Sequence, residues 1–155
     1  QLQRAATAGS SKIGRSVAVK TAISRITDSL VKVYGGKNCI VHVNADPALM
    51  FKGDEGDLLE ILGNLIDNAF KWCHQRVIVS AAQQGDKLNL RIDDDGPGMK
   101  SEQAERVLQR GARADQAVPG HGIGLSIGHN IVLDYHGELK IDKIELGGVC
   151  LRVLI

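Results

Sequence analysis

Apolar positions Val19, Ala22, Ile23, Ile26, Leu30, Val33 and Tyr34 recur at steps of three and four residues, a period that predicts an amphipathic helix ended by Gly35 and Gly36. CIVHVNA, residues 39–45, reads as a strand. Turn-forming DPALMFKGDEG then leads into a second long helix from about Asp57 to Trp72. A β-branched strand follows over residues 76–82, and KLNLRID alternates Leu88, Leu90 and Ile92 with polar neighbours, the mark of a half-buried strand. QQGD between these two strands is a hairpin turn. Past DDDGPGM the pattern weakens. One short helix is predicted over residues 102–108, and the stretch from about Met99 to Val118 reads as a mobile lid. Apolar spacing predicts a last helix over residues 123–135, and ELKIDKI with VCLRVLI, around Gly147 and Gly148, a closing hairpin. Helices gathered on one face of a sheet whose consecutive strands pair antiparallel make an α+β, two-layer sandwich.

Composition narrows this picture. A chain of 155 residues, 43% hydrophobic, suits a single core. Lys plus Arg total 19 against 18 for Asp plus Glu, so the basic excess that neutralises a nucleic-acid backbone is missing. Three cysteines, Cys39, Cys73 and Cys150, are odd in number and lack CxxC spacing, which argues against a disulfide framework and a zinc site and for reduced thiols. No apolar run approaches the ~18–20 residues that cross a bilayer, so direct membrane contact is not expected. QLQRAAT followed by GSSKIG reads as the end of a longer helix and a linker over residues 1–15, with the main domain over residues 16–155.

Three segments carry candidate chemistry. Within ILGNLIDNAFKW, Asn64, Asn68, Lys71 and Trp72 share one helical face, while Leu58, Leu62, Leu65, Ile66 and Ala69 form another. An amide oxygen suits magnesium, and Lys71 supplies a compact positive charge for phosphate. Alone, the segment equally fits a plain amphipathic helix with a solvated polar face. Asp94, Asp95, Gly96, Pro97 and Gly98 end the alternating strand in a tight turn, where backbone can approach a flat ligand and Asp94 can accept from an exocyclic amine. An ordinary acidic turn is the competing reading. In PGHGIGLSIG, residues 119–128, Gly120, Gly122 and Gly124 precede a helix whose N-terminus favours negative charge. The string lacks the GxxxxGK(S/T) pattern, so the phosphate chemistry belongs to a different architecture.

In this order and spacing the three segments resemble the N, G1 and G2 boxes of the GHKL superfamily, which unites histidine kinases with gyrase, chaperone and mismatch-repair ATPases. Lys71 beside an aromatic residue, DDGPGM and RGARADQ resemble the sensor histidine kinase branch. The resemblance implies the Bergerat fold with a mixed, mostly antiparallel sheet, ATP and magnesium as ligands, and transfer of the γ-phosphate to a histidine on a separate helical hairpin. It implies that Asn64 ligates magnesium, that Asn68 contacts phosphate or metal, and that Lys71 contacts phosphate. Trp72 would flank adenine, and Asp94 would bind its N6 amine in a pocket shaped by Gly96 and Gly98. Gly120, Gly122 and Gly124 would surround the phosphates with His121 and Leu125, and Arg110 or Arg113 would reach the γ-phosphate. A response regulator would be the indirect partner, the domain would be cytoplasmic, and its parent an inner-membrane sensor.

Some positions depart from the branch. His121 replaces a glutamine near the metal, Trp72 a tyrosine, Val118 a second lid arginine and Cys150 a threonine, the last assigned here to the core. Glu60 lies one turn before Asn64, the spacing of the general base in ATP-hydrolysing branches, a role muted in kinases. None of His42, His74, His121, His129 and His136 is followed by an acid, as a family phosphoacceptor would be. Two alternatives share the fold: a serine kinase of the anti-sigma type, and a module whose ATP drives dimerisation.

Overall fold

The computed structural model describes residues 15–109, 124–143 and 147–155. In chain order the elements are β1 (Val17–Ala18), α1 (Val19–Val33), a 3-10 turn (Gly35–Lys37), β2 (Ile40–Ala45), β3 (Met50–Phe51), α2 (Glu55–Trp72), β4 (Arg76–Gln84), β5 (Lys87–Asp94), α3 (Ser101–Leu108), α4 (Gly124–Asp134), β6 (Glu138–Lys143) and β7 (Val149–Leu154). Five strands form a sheet in the order β2-β4-β5-β7-β6, and β1 pairs with β3 in a separate ribbon. Helix α2 packs between α1 and α4 in the second layer, which gives the α+β two-layer sandwich expected from the pattern. No helix among the described residues is long and apolar enough to cross a membrane.

Strand pairing gives the mixed, mostly antiparallel sheet that the resemblance implies, and corrects the pattern's expectation that consecutive strands all pair antiparallel. The β4–β5, β5–β7 and β7–β6 pairs are antiparallel, but β2 and β4 run parallel, with Val41 opposite Val77 and Val43 opposite Val79. Parallel neighbours need a crossover, and α2 supplies it between β2 and β4. The β4–β5 turn carries Gly85 at φ 62°, a conformation that hairpin turns require and glycine adopts without strain.

Helix α2 begins on Asp54, whose carboxylate accepts from the Asp57 backbone N–H at 3.0 Å, and Glu55 and Asp57 place negative charge on its first turn. The Tyr135 hydroxyl, past the end of α4, donates to Asp57 Oδ2 at 2.7 Å and accepts from Asp54 N at 3.1 Å. Leu58, Ile61, Leu62, Leu65 and Ile66 are fully buried, so the apolar face predicted for this helix does meet the sheet. From the sheet side Val77, Val79, Leu90, Ile92, Leu151 and Val153 close the same core. Removing a leucine such as Leu62 down to alanine there costs about 2–5 kcal/mol.

The cysteines depart from expectation. Cys39, just before β2, and Cys73, just after α2, are joined in a disulfide with their Cα atoms 6.8 Å apart. Their 34-residue separation hides a proximity created by the crossover, which returns the end of α2 to the start of β2. Cys150 is buried but lies outside the main apolar cluster. It points from β7 away from the helices, in register with Asp93 on β5 and Asp142 on β6. Burial, with the Asp93 carboxylate beside it, pushes its thiol up to about 12.

Candidate functional site

Three segments converge at the C-terminal half of α2: that helix itself, the turn after β5 and the first turn of α4. On α2, Asn64 is half-buried, Asn68 is buried and Lys71 is exposed, one after another along the face predicted from spacing. Asn64 donates its side-chain amide to the Glu60 carbonyl at 2.9 Å. Its oxygen is thereby directed at α4, where a Cβ built on Gly124 would come within 3.2 Å of Asn64 Oδ1. A side chain at residue 124 would crowd Asn64, which would have to give by a few tenths of an ångström. The side chain of Leu125, next along α4, is fully buried in the core and anchors the helix there.

Lys71 holds its ammonium 5.9 Å from the centroid of the Trp72 ring, within cation–π range. Across from Trp72 lies the turn after β5. Gly96 packs so closely against the Trp72 carbonyl that a Cβ would collide with backbone. Gly98 sits at φ 85°, beside the Gly147 carbonyl. Asp94 is 3% exposed and accepts from the Gly96 N–H at 2.9 Å. Burial pushes its carboxyl up to about 6, with Asp95 and Asp93 adding to the rise against the backbone hydrogen bonds from Gly96 and Val149. A buried carboxylate of this kind can read an amine on a planar base by accepting its hydrogen bond.

Two contributions to this region escape sequence reasoning. Lys37 donates from Nζ to the carbonyls of Phe70 at 3.1 Å and Lys71 at 2.7 Å, closing the C-terminus of α2 with a cation. Asp95 accepts at Oδ1 from the backbone N–H groups of His74 at 2.8 Å, Gln75 at 3.1 Å and Arg76 at 3.2 Å, and at Oδ2 from Gln75 at 3.1 Å. Although partial burial works against it, these donors hold the Asp95 carboxyl below the usual carboxylate range. Nothing in the periodicity marks either residue, since both act on backbone.

Among the described residues no three His, Cys, Asp or Glu side chains are grouped for a metal, so the donor this face offers is the amide oxygen of Asn64. An oxygen ligand from a rigid helix fits magnesium. Arg110, Arg113, Gly120, His121 and Gly122 lie outside the described residues, as does the stretch expected to be a lid, from residue 110 onward. Its first part, residues 101–108, forms α3, which buries Val107.

A family model described as "Histidine kinase-, DNA gyrase B-, and HSP90-like ATPase" matches residues 53–155. The two-component sensor PhoQ of Pseudomonas aeruginosa is 39% identical over 153 residues, 99% of this chain and 34% of that protein. The sensor protein PhoQ of Escherichia coli K12 is 33% identical over 154 residues, again 99% of this chain and 32% of that protein. The chain therefore spans about a third of the length of these relatives. Among solved structures, the mycobacterial sensor histidine kinase MprB superposes with a TM-score of 0.76 at 26% identity, covering 91% of this chain and 95% of that one. The catalytic domain of histidine kinase ThkA shares the fold, with a TM-score of 0.79 at 19% identity over 91% of this chain and 95% of that one.

Proposed function

The chain belongs to the histidine kinase-, DNA gyrase B- and HSP90-like ATPase family, and from that premise we propose that it binds ATP with magnesium and presents the γ-phosphate to a histidine on a separate helical hairpin of a two-component sensor kinase. The observation that carries this reading is the alignment along α2: an amide oxygen aimed at the start of α4, a buried Asn68 one turn on, then Lys71 beside the Trp72 ring, with the Trp72 carbonyl against the turn that buries Asp94.

Each residue then has a task. Asp94 accepts from the adenine N6 amine, and Trp72 flanks the ring. Lys71 offsets negative charge on the phosphate chain, and Asn68 adds a donor beside it. Asn64 would hold the magnesium ion, which when bound neutralises phosphate charge as a reacting group approaches. The N-terminus of α4, which abuts Asn64, would lend the positive end of its dipole to the same anion. Arg110 or Arg113 would close on the γ-phosphate, with Gly120, His121 and Gly122 around it. Chemistry in such a site rests on positioning and electrostatic stabilisation, with the nucleophile brought by the hairpin. A cytoplasmic setting, an inner-membrane parent and a response regulator downstream complete the reading, which takes support from the sensor relatives.

Incubation with γ-labelled ATP and magnesium tests it. Label is expected on an added phosphoacceptor hairpin and not on this chain alone, because none of its histidines is followed by an acid to take the proton. Absence of ATP binding by calorimetry, or acid-labile label on the chain alone, would overturn the reading.

A further inference from the structure

The final turn of a helix leaves four carbonyls without intrahelical donors, so the end of α2 depends on groups from outside it. Lys37 serves the carbonyls of Phe70 and Lys71. The chain just past the helix is held by Asp95, whose carboxylate gathers the N–H groups of His74, Gln75 and Arg76. Asp95 itself stands between Asp94, the buried carboxylate, and Gly96, which abuts the Trp72 carbonyl. One side chain therefore ties the segment that follows Trp72 to the turn that carries Asp94. Hydrogen bonds to an ionised carboxylate are stronger than neutral ones, so this tie is stiff for its size.

We propose that Asp95 is the positioning residue of the base pocket: by fastening residues 74–76 to the turn after β5 it fixes the relation of Trp72 to Asp94, between which a purine ring is held. The proposal rests on the ATP-binding reading and deepens it. Asp95 touches neither base nor phosphate in this arrangement. Its effect falls on the base end of the site, while Asn64 and the start of α4 meet without it. A turn that merely needed a stabilising carboxylate would lose affinity for every ligand alike, or for none.

The test compares ATP with inorganic tripolyphosphate, both with magnesium, by calorimetry on the parent chain, Asp95→Ala and Asp95→Asn. Asp95→Ala is expected to weaken ATP by about 10-fold or more, the scale of a lost charge-assisted hydrogen bond, and to leave tripolyphosphate within about twofold. Asp95→Asn is expected to recover part of the ATP affinity, since Oδ1, which takes three of the N–H contacts, remains an acceptor. Trp72 is the single tryptophan, and its emission should shift in Asp95→Ala and return toward the parent in Asp95→Asn. ATP affinity of Asp95→Ala within about twofold of the parent, or equal loss of ATP and tripolyphosphate, would overturn the proposal while leaving ATP binding intact. If Asp95→Ala does not fold, Asp95→Asn decides: partial loss of ATP with tripolyphosphate unchanged supports the assignment, and parent-like ATP affinity overturns it. A parent chain that binds no ATP refutes the ATP reading itself, and the proposal with it.

Discussion

Asn64 turns its amide nitrogen onto the carbonyl of Glu60, one helical turn back, and so presents its oxygen to the first turn of α4. The helix thereby orients a neutral oxygen ligand without spending a second side chain on it. Asn64→Ala is expected to weaken ATP binding by about 10-fold or more in magnesium and much less in chelator, because only the metal-assisted mode uses that oxygen. Calorimetry in both conditions checks this. Equal loss in the two would leave Asn64 a packing residue.

Asp94 gives a prediction with two signs. Its carboxyl sits at about 6 in the folded chain against an ordinary 3.8, so the folded state binds the proton more tightly than the unfolded one. The stability gained from this is fully present below about pH 4 and is lost as pH rises through about 6. Binding runs the other way, since the ionised form is the stronger acceptor for the N6 amine. ATP affinity should therefore rise with pH through about 6 and then level off. Measured relative to Asp94→Asn, which cancels titration of the phosphates, the ratio of affinities should show this step, and a flat ratio would refute the assignment. GTP, whose carbonyl meets the carboxylate, should bind about 10-fold or more weakly.

How much of this was legible in the chain depends on the kind of signal. The three- and four-residue period located α1 and α2, and the face bearing Asn64, Asn68, Lys71 and Trp72 follows from the same geometry. Alternation located β5 and predicted that Leu88, Leu90 and Ile92 meet the core. It says nothing of a strand's neighbour, so the pattern alone set β2 and β4 antiparallel although α2 lies between them as a crossover, and only the resemblance implied a mixed sheet. Strands β1 and β3 are two residues each, too short for any period. Lys37 and Asp95 act on backbone groups more than a dozen residues away, and no side-chain pattern encodes that.

The Cys39–Cys73 bond predicts a thiol count and a stability. Denatured, unreduced protein should show one free thiol, that of Cys150, and reduction should show all three. Closing a loop with this 34-residue separation is worth about 2–4 kcal/mol in the chain-entropy account. Urea unfolding with and without reductant, and of the variant carrying Cys39→Ser with Cys73→Ser, measures it. Three thiols before reduction would show that the sulfurs are neighbours without a bond, the state favoured by a reducing cytosol.

The last prediction concerns the end of α2 remote from the candidate site. Tyr135 joins the start of α2 to the end of α4, donating to Asp57 and accepting from the Asp54 N–H, and its ring packs against Phe51 with centroids 5.5 Å apart. Burial, then the hydrogen bond to Asp57, raises the phenol well above its ordinary value, so it stays protonated and remains a donor at any working pH. Tyr135→Phe keeps the ring and removes only the oxygen. A carboxylate that is 5% exposed then loses a donor, and a backbone N–H loses an acceptor. The cost should be about 1–3 kcal/mol, which for a domain of this size lowers Tm by roughly 3 °C per kcal/mol. Because Asn64, Asn68 and Lys71 lie two to four turns further along α2, ATP affinity should stay within about twofold of the parent. Thermal unfolding and calorimetry on the same variant separate the two effects. An unchanged Tm would show that solvent replaces the hydroxyl without loss, and a large fall in ATP affinity would show that the start of α2 transmits its position to the nucleotide face.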